Sequence, residues 1–178
     1  LIEVVERMRE EIIRLGGEFL FHSQVTDILP KENCLIVNGC HRIETDAAVF
    51  AVGHSARDTF QMLFDRNVAM KSKSFAIGVR AEHRQDMIDE AMYGRKERGP
   101  LGAAAYKLTA QLENGRGVYT FCMCPGGYVV NASSEQGRLA VNGMSYHDRA
   151  GENANSAVIV TVTKDDYGSD HPLAGMEF

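Results

Sequence analysis

Residues 119–130 read YTFCMCPGGYVV, and this stretch combines a strand signal, two cysteines and a glycine turn. The aromatic and β-branched residues around it predict a strand over Val118–Met123. Pro125, Gly126 and Gly127 then predict a tight turn, because proline lacks a backbone donor and glycine tolerates positive φ angles. Cys122 and Cys124 therefore stand where a strand runs into a turn.

The chemistry of the Cys122–Cys124 pair is open between four interpretations. Structural zinc sites use four ligands and Cys-x₂₋₄-Cys spacing, and no histidine lies within twenty residues of the pair. A nucleophilic cysteine needs a base and an orienting group, and no Cys/His signature is present. A redox or substrate-facing role is better supported, since thiols on a glycine turn can approach a cofactor and change their pKa there. The fourth interpretation is a tight turn with one buried thiol.

Composition narrows the class of protein. The 178 residues are 44% hydrophobic, which is enough for one domain or parts of two. Nineteen basic and twenty-four acidic residues give a net charge of −5, and this mild balance argues against a nucleic-acid partner. No apolar run approaches the ~20 residues that span a bilayer, and we expect no membrane partner. Four cysteines are too few for a disulfide scaffold, which favours reduced thiols and a cytoplasmic location. The sequence predicts no particular oligomeric state.

The first segment predicts a helix followed by an α/β arrangement. Leu1, Val5, Met8, Ile12 and Leu15 repeat at helical spacing, and glycines at 16 and 17 end the helix. Because the chain starts without methionine and inside this pattern, we expect it to be a piece of a longer protein. Strands are predicted over four ranges: Glu18–His22, Val25–Leu29, Cys34–Asn38 and Ala47–Val52.

The fourth of these strands reads AAVFAV and is predicted to be buried on both faces of a layered sheet. Gly53 ends it, and the segment HSARDTFQMLF predicts a helix capped by Ser55. The predicted buried side chains of that helix are Phe60, Leu63 and Phe64.

After a predicted boundary near Asp65–Lys73, the chain changes to a second, mostly β domain. Strands are predicted over Phe75–Ala81, Val118–Met123 and Ala157–Val162, with a short helix near Gln85–Met92. The range Leu101–Leu112 is compatible with either a strand or a helix.

Three further motifs are candidate binding sites, and each also has a purely structural explanation. Ala51-Val52-Gly53 stands at the end of a predicted strand, and ligands of open α/β sheets bind at such strand ends. The alternative is that Gly53 only forms a turn. The polar run 142–156 offers hydrogen bonds to a substrate or is a solvated loop. Arg80 is a candidate anion site or part of a surface ion pair. The sequence contains neither G-x-G-x-x-G nor a P-loop motif.

Five segments together resemble the large family of uncharacterised bacterial FAD-dependent dehydrogenases, also described as NAD(FAD)-utilising dehydrogenases. They are VFAVGHSARDTF, SFAIGVRAEH, YTFCMCPGGYVVNASSEQG, VNGMS and NANSA. The family is related to the two-dinucleotide-fold flavoproteins of the glutathione reductase type. The resemblance extends from Gly16 to Val162.

The resemblance implies an α/β fold with an internal position in a longer flavoprotein. Residues 1–68 are then the C-terminal part of an FAD-binding, Rossmann-like domain, and residues 69–178 are an incomplete inserted α+β substrate domain. The implied function is that of an FAD-dependent oxidoreductase of unknown substrate, with NADH or NADPH as a candidate electron donor. Because the phosphate loop lies outside the sequence, we expect the isolated chain to be inactive and to bind FAD weakly or not at all.

The resemblance also implies roles for individual residues. Val25 matches a position that contacts the adenine through its backbone. Ala51, Val52 and Gly53 match a cofactor-binding motif written Ala-Thr-Gly in many relatives, in which the main-chain role survives the loss of the hydroxyl at Val52. The loop from Cys122 to Gly127 is similar to a signature loop that faces the isoalloxazine or the substrate. Cys122 and Cys124 are therefore the catalytic candidates, and Gly126 and Gly127 are cofactor-binding candidates. The candidates for substrate binding are Arg80, Asn142, Arg149, Asn153 and Asn155. No metal ligand is assigned, and the alternative function is a non-catalytic thiol or metal-binding module.

Overall fold

The structure, a computed structural model, describes residues 2–178, so the predicted helical position of Leu1 lies outside the described residues. The chain divides into two compact units, one ending at Ala69 and one running from Met70 to Phe178. Both contain antiparallel sheets and short helices, which makes the fold a mixed α/β one with mostly antiparallel strands. The Rossmann-like sheet, which is parallel, is not formed by residues 2–178.

The first unit opens with the predicted helix. Helix α1 spans Ile2–Arg14, and Gly16 follows it with a φ of 91°. Its apolar residues follow the predicted helical spacing, but Val5, Met8 and Ile12 are exposed. The helix therefore presents an apolar stripe that no described residue covers.

A three-stranded antiparallel meander follows. Its strands are β1 (Val25–Leu29), β2 (Cys34–Val37) and β3 (His41–Glu44), in that spatial order. The first two confirm predicted strands. The third was not predicted, because its sequence HRIE is mostly polar, as suits an exposed edge strand.

Two predicted strands of the first unit are wrong. Glu18–His22 and Ala47–Val52 are irregular, and Val49 is 92% exposed. A strand requires a neighbour for its backbone hydrogen bonds, and no described residue pairs with either segment. Apolar composition alone therefore did not produce a strand here.

The helix predicted after Gly53 is confirmed as α2, Arg57–Asp65. Leu63 is buried as predicted, whereas Phe60 and Phe64 are only half-buried. The N-cap is Ala56 rather than the predicted Ser55, and its side chain makes no capping hydrogen bond.

The second unit contains a four-stranded sheet and a two-stranded sheet. Its elements are β4 (Phe75–Arg84), α3 (Gln85–Tyr93), β5 (Thr109–Gln111), β6 (Gly117–Cys124), β7 (Gly127–Asn131), β8 (Val141–Ser145), β9 (Asn153–Val162) and α4 (Lys164–Tyr167). The larger sheet has the order β4-β9-β6-β5, and β7 pairs with β8. The predicted strands within β4, β6 and β9 and the predicted helix α3 are confirmed. The ambiguous range 101–112 contains the short β5 and, at Leu101, the end of a 3-10 helix.

Strand β9 lies at the centre of this unit. Its segment NANSA was expected in a polar stretch, but it forms the first half of the strand, and Ala154, Asn155 and Ser156 are buried. Asn155 is opposite Glu82 of β4 on one side and Cys124 of β6 on the other. The register therefore brings the cysteine motif beside buried amides of β9.

Candidate functional site

The cysteine motif forms a β-bulge. Pairing between β6 and β9 passes from Phe121–Ala157 to Cys124–Asn155, which leaves one extra residue on β6. Cys122 has a φ of 50°, in the left-handed region that favours glycine. A non-glycine residue at this position of a bulge is strained by about 1 kcal/mol, and such strain is often found at functional sites.

Arg80 holds the bulge from β4. Its Nη1 donates to the carbonyl oxygen of Cys122 at 3.1 Å and to Oδ1 of Asn155 at 2.6 Å. Because arginine only donates, Asn155 must present its oxygen to Arg80, and its amide nitrogen points away. That nitrogen is fully buried and has no hydrogen-bond partner among the described residues.

The two thiols differ in their surroundings. Cys122 is exposed, whereas Cys124 is half-buried and its Sγ donates a weak hydrogen bond to the carbonyl of Cys122 at 3.4 Å. Burial raises the pKa of the Cys124 thiol, and the nearby Cys122 raises it further against the opposing effect of Arg80. Cys124 is therefore a neutral thiol at neutral pH.

The hairpin of β7 and β8 packs against this cluster at Gly143. A Cβ on Gly143 would lie 2.8 Å from Cys124 Sγ and closer still to Asn155 Oδ1 and Arg80 Nη1. Only glycine therefore allows β8 to approach the thiol and the Arg80–Asn155 pair.

A buried polar network holds the turn after the cysteines. Gly126 N donates to Gln85 Oε1 at 2.8 Å, and Gln85 Nε2 donates to Asp89 Oδ1 at 2.8 Å. Asp89 also accepts from Ala104 N at 2.9 Å and from Arg98 Nε at 2.6 Å. Burial alone raises the pKa of Asp89, but these donors outweigh it and lower the pKa below its ordinary value. The carboxylate is therefore ionised and links α3 to the turn.

Gly126 itself touches the segment that follows β8. It has a φ of 55°, and its carbonyl accepts a hydrogen bond from Gly151 N at 3.2 Å. The space for a Cβ at this position is occupied by the backbone of Arg149. Arg98 Nη1 also donates to the Arg149 carbonyl, at 3.3 Å, so one network holds both segments.

An open cleft of about 530 Å³ lies beside the thiol of Cys124. Its lining residues are Met123, Cys124, Pro125, Gly143, Met144, Ser145, Tyr146, His147 and Arg149. Ser145 Oγ is engaged with the carbonyl of Pro125 at 2.8 Å. Because no acidic side chain lines the cleft and Arg149 is exposed there, the cleft suits polar or anionic small molecules.

The structure brings some of the predicted site residues of the second unit together and separates others. Cys124 and Arg149 line the cleft, and Arg80 and Asn155 lie behind it. Asn153 instead donates to Glu82 at 2.8 Å, and Asn142 accepts from Gly143 N at 2.8 Å. Neither of these two asparagines lines the cleft.

The glycines of the turn are both buried. Gly127 is confined by the carbonyl of Met144 and the side chain of Ser145. The contacts of Gly126 and Gly127 explain their role in packing, and their assignment to a cofactor stays a prediction.

The first unit contains another cleft, of about 420 Å³, which two of its four cofactor candidates line. Val25 and Val52 line it together with Phe50 and other mostly apolar residues. Ala51 and Gly53 are exposed and do not line this cleft. Gly53 has a φ of 72°, and no atom lies within 4 Å of the place that a Cβ would occupy. The backbone at Gly53 is therefore open to a ligand.

Sequence reasoning missed four residues that organise the second unit: Gln85, Asp89, Arg98 and Gly143. A signal existed for the first two, because polar residues four apart lie on one face of the predicted helix. Nothing local marks Gly143 or Arg98, whose partners are distant in sequence.

The described residues do not contain a complete FAD site. Proteins of this kind hold the pyrophosphate with a glycine-rich loop at a helix N-terminus, and the sequence has no such loop. What the described residues offer is the open backbone at Gly53 and the cleft beside Cys124. Within residues 2–178, no group of three His, Cys, Asp or Glu side chains is arranged to hold a metal ion. The described part of the chain also has no helix long and apolar enough to cross a membrane.

Comparison with known proteins defines the class. Residues 74–178 match the family described as "FAD-dependent protein, C-terminal domain-like". The match covers more than half of the chain. The chain therefore belongs to this FAD-dependent family, which agrees with the resemblance of its motifs.

A longer relative extends the comparison. An uncharacterised protein of Clostridium beijerinckii is 54% identical over 180 residues. The alignment covers 98% of this chain but only 34% of the relative. The chain thus corresponds to about a third of a longer relative.

Proposed function

We propose that the protein acts as an FAD-dependent oxidoreductase, a dehydrogenase of a small-molecule substrate. Membership of an FAD-dependent family is the observation that carries this proposal. A bound flavin supplies the hydride or electron chemistry, and the protein supplies binding and orientation. NADH or NADPH is the candidate electron donor.

The two units would contribute differently. We assign residues 1–68 to the C-terminal part of an FAD-binding, Rossmann-like domain, supported by the apolar cleft that Val25 and Val52 share. We assign residues 69–178 to the substrate domain, supported by the cleft that contains Cys124 and Arg149. In this domain, Cys124 contacts the substrate from the cleft, and Cys122, which is exposed outside the cleft lining, is the second catalytic candidate. Arg80 and Asn155 position the bulge that carries both cysteines.

The free thiols support a cytoplasmic location. Cys34, Cys40, Cys122 and Cys124 are all unpaired in the structure, and reducing compartments maintain this state.

The visible absorption spectrum of the intact parent protein, purified without added cofactor, tests the function. We expect flavin bands from the parent. The 178-residue chain is the matched control and should be colourless, because it lacks a phosphate loop. A folded but colourless parent would contradict the proposed function, and a yellow 178-residue chain would contradict the inference that the FAD site is incomplete.

A further inference from the structure

Arg149 lines the cleft beside Cys124 in a backbone conformation that arginine disfavours. Its φ is 51°, in the left-handed region that glycine adopts more readily than other residues. The side chain is exposed at the cleft. Since glycine would adopt this conformation with less strain, an arginine at this position indicates that the side chain itself is required.

The backbone of Arg149 is held by several contacts. Its N–H donates to the carbonyl of Tyr146 at 3.1 Å, which closes a turn. Its carbonyl accepts from Arg98 Nη1 at 3.3 Å and packs against Gly126. Arg98 is in turn paired with the buried Asp89 at 2.6 Å. The buried network around Asp89 therefore fixes the point from which the Arg149 side chain leaves the backbone.

The guanidinium of Arg149 is available to a ligand. No hydrogen bond or ion pair within residues 2–178 engages it. The carboxylate of Asp148, the preceding residue, instead accepts from Ala150 N at 3.2 Å. No acidic side chain lines the cleft. The positive charge of Arg149 is therefore uncompensated where the cleft opens to solvent.

The other lining residues define what can accompany an anion in this cleft. Met123, Pro125 and Met144 provide apolar surface, and His147 adds an exposed imidazole. A planar guanidinium binds a carboxylate or a phosphate through two parallel N–H donors, and a histidine can donate a further hydrogen bond. The cleft therefore matches a small molecule that has an apolar body and an oxyanion.

We propose that Arg149 is the anion-binding residue of this cleft and that the substrate carries an oxyanion, either a carboxylate or a phosphate. This inference rests on the proposed function in taking the cleft beside Cys124 as the substrate site. It adds the chemical class of the substrate and the residue that recognises it.

Benzoate, phenyl phosphate and benzamide are suitable probes, because they share a phenyl ring and differ in charge. Nuclear magnetic resonance of the isotope-labelled 178-residue protein would follow its backbone amides during titration. We expect one or both anions to shift the amides of Gly143, Ser145 and Arg149 in a saturable way. The Kd should be about 1 mM at low salt and rise with added salt, since a single exposed charge pair is weak and screened. Neutral benzamide should bind at least about tenfold more weakly. The anion that binds more tightly identifies the group that the substrate carries.

Substitutions separate the charge of Arg149 from its place in the fold. Arg149→Gln should weaken anion binding by about tenfold or more, because the amide cannot replace a charged bidentate donor. Arg95→Gln is the matched control and should bind as the native protein does, since Arg95 is exposed in the same unit but does not line the cleft. Arg149→Gly should also lose the anion. Its midpoint of urea unfolding should equal or exceed that of the native protein, because glycine relieves the left-handed strain.

Three outcomes would overturn the anion site. They are no saturable shift with either anion, equal binding of benzamide, and undiminished anion binding by Arg149→Gln. A lowered unfolding midpoint in Arg149→Gly would also count against it, since the side chain would then be needed for the fold. The titration requires no flavin. A colourless parent with anion binding at Arg149 would contradict the proposed function alone, and a yellow parent without anion binding would contradict the anion site alone.

Discussion

At the scale of single residues, the cleft of the second unit depends on backbone positions that ordinary side chains disfavour. Cys122 has a φ of 50° and Gly126 a φ of 55° in the same short segment. Gly126 needs its glycine for two reasons, since the angle is left-handed and the backbone of Arg149 fills the space of a Cβ. Cys122 bears the same strain while keeping a side chain, which is expected where the side chain itself is needed.

Gly126→Ala should lower the free energy of unfolding by more than the strain of placing alanine at a positive φ angle. Alanine at positive φ costs about 1 kcal/mol, and forced overpacking adds about 1–3 kcal/mol. Urea unfolding at neutral pH measures the sum. Gly115→Ala is the matched control, because Gly115 has a φ of 79° with no atom within 4 Å of a built Cβ. Equal losses for the two variants would show that the contact with Arg149 contributes nothing.

At the scale of elements, α3 supports the turn after the cysteines. Gln85 and Asp89 lie four residues apart on this helix, and both are fully buried. They connect Gly126 to Arg98 through successive hydrogen bonds. The position of the turn after the cysteines is therefore set by a helix whose Gln85 lies 41 residues before Gly126.

Asp89→Asn should cost about 3 kcal/mol of unfolding free energy at pH 7, because it leaves Arg98 without its buried charge partner. Chemical denaturation at pH 7 measures this loss of unfolding free energy. Glu90→Gln on the same helix is the control, since Glu90 forms only an exposed pair with Lys96 at 3.7 Å, and it should change stability little.

The effect of Asp89 should also depend on pH. The pKa of Asp89 is lowered in the folded state, so its stabilisation is complete above the unfolded pKa and is lost as the pH falls. The difference between the native protein and Asp89→Asn should thus be largest at neutral pH and shrink below about pH 4. Denaturation midpoints over this range measure the difference, and a constant difference would contradict an ionised Asp89.

At the scale of the whole molecule, the chain divides into two compact units. The first ends at Ala69, and its described residues form a small meander, two α-helices and one turn of 3-10 helix. The second holds the larger sheet and the cysteine motif. Residues 68–74 between α2 and β4 form no regular element.

Limited proteolysis should therefore separate the units. Lys71 and Lys73 are exposed in this irregular segment, where trypsin has access to the backbone. We expect an early fragment that begins after one of these lysines and extends to residue 178, detected by mass spectrometry. A Lys71→Gln, Lys73→Gln variant should lose this early cut. Early cleavage at Arg80 or Arg84, within β4, would contradict the division.

The success of sequence-based prediction differed between these scales. The strands within β4 and β9 were predicted because their apolar and β-branched residues favour an extended chain with little ambiguity. Ala47–Val52 was predicted wrongly by the same rule, because a strand also needs a partner. Prediction of the site residues also depended on whether their signal was local. Cys122, Cys124 and Arg149 were predicted from local motifs. Gln85 and Gly143 were found only in the structure, because their partners are distant in the sequence.

By itself the sequence determined the order of the second unit's main elements, the glycine turn after Cys124 and the likeness to FAD-dependent proteins. These properties depend on local propensity and on motifs that are contiguous in the chain. Only the tertiary structure decided that Arg80, Asn155 and Cys124 meet beneath Gly143. That meeting depends on the register of β9 between β4 and β6 and on a one-residue bulge, and register is set by the packing of all three strands together.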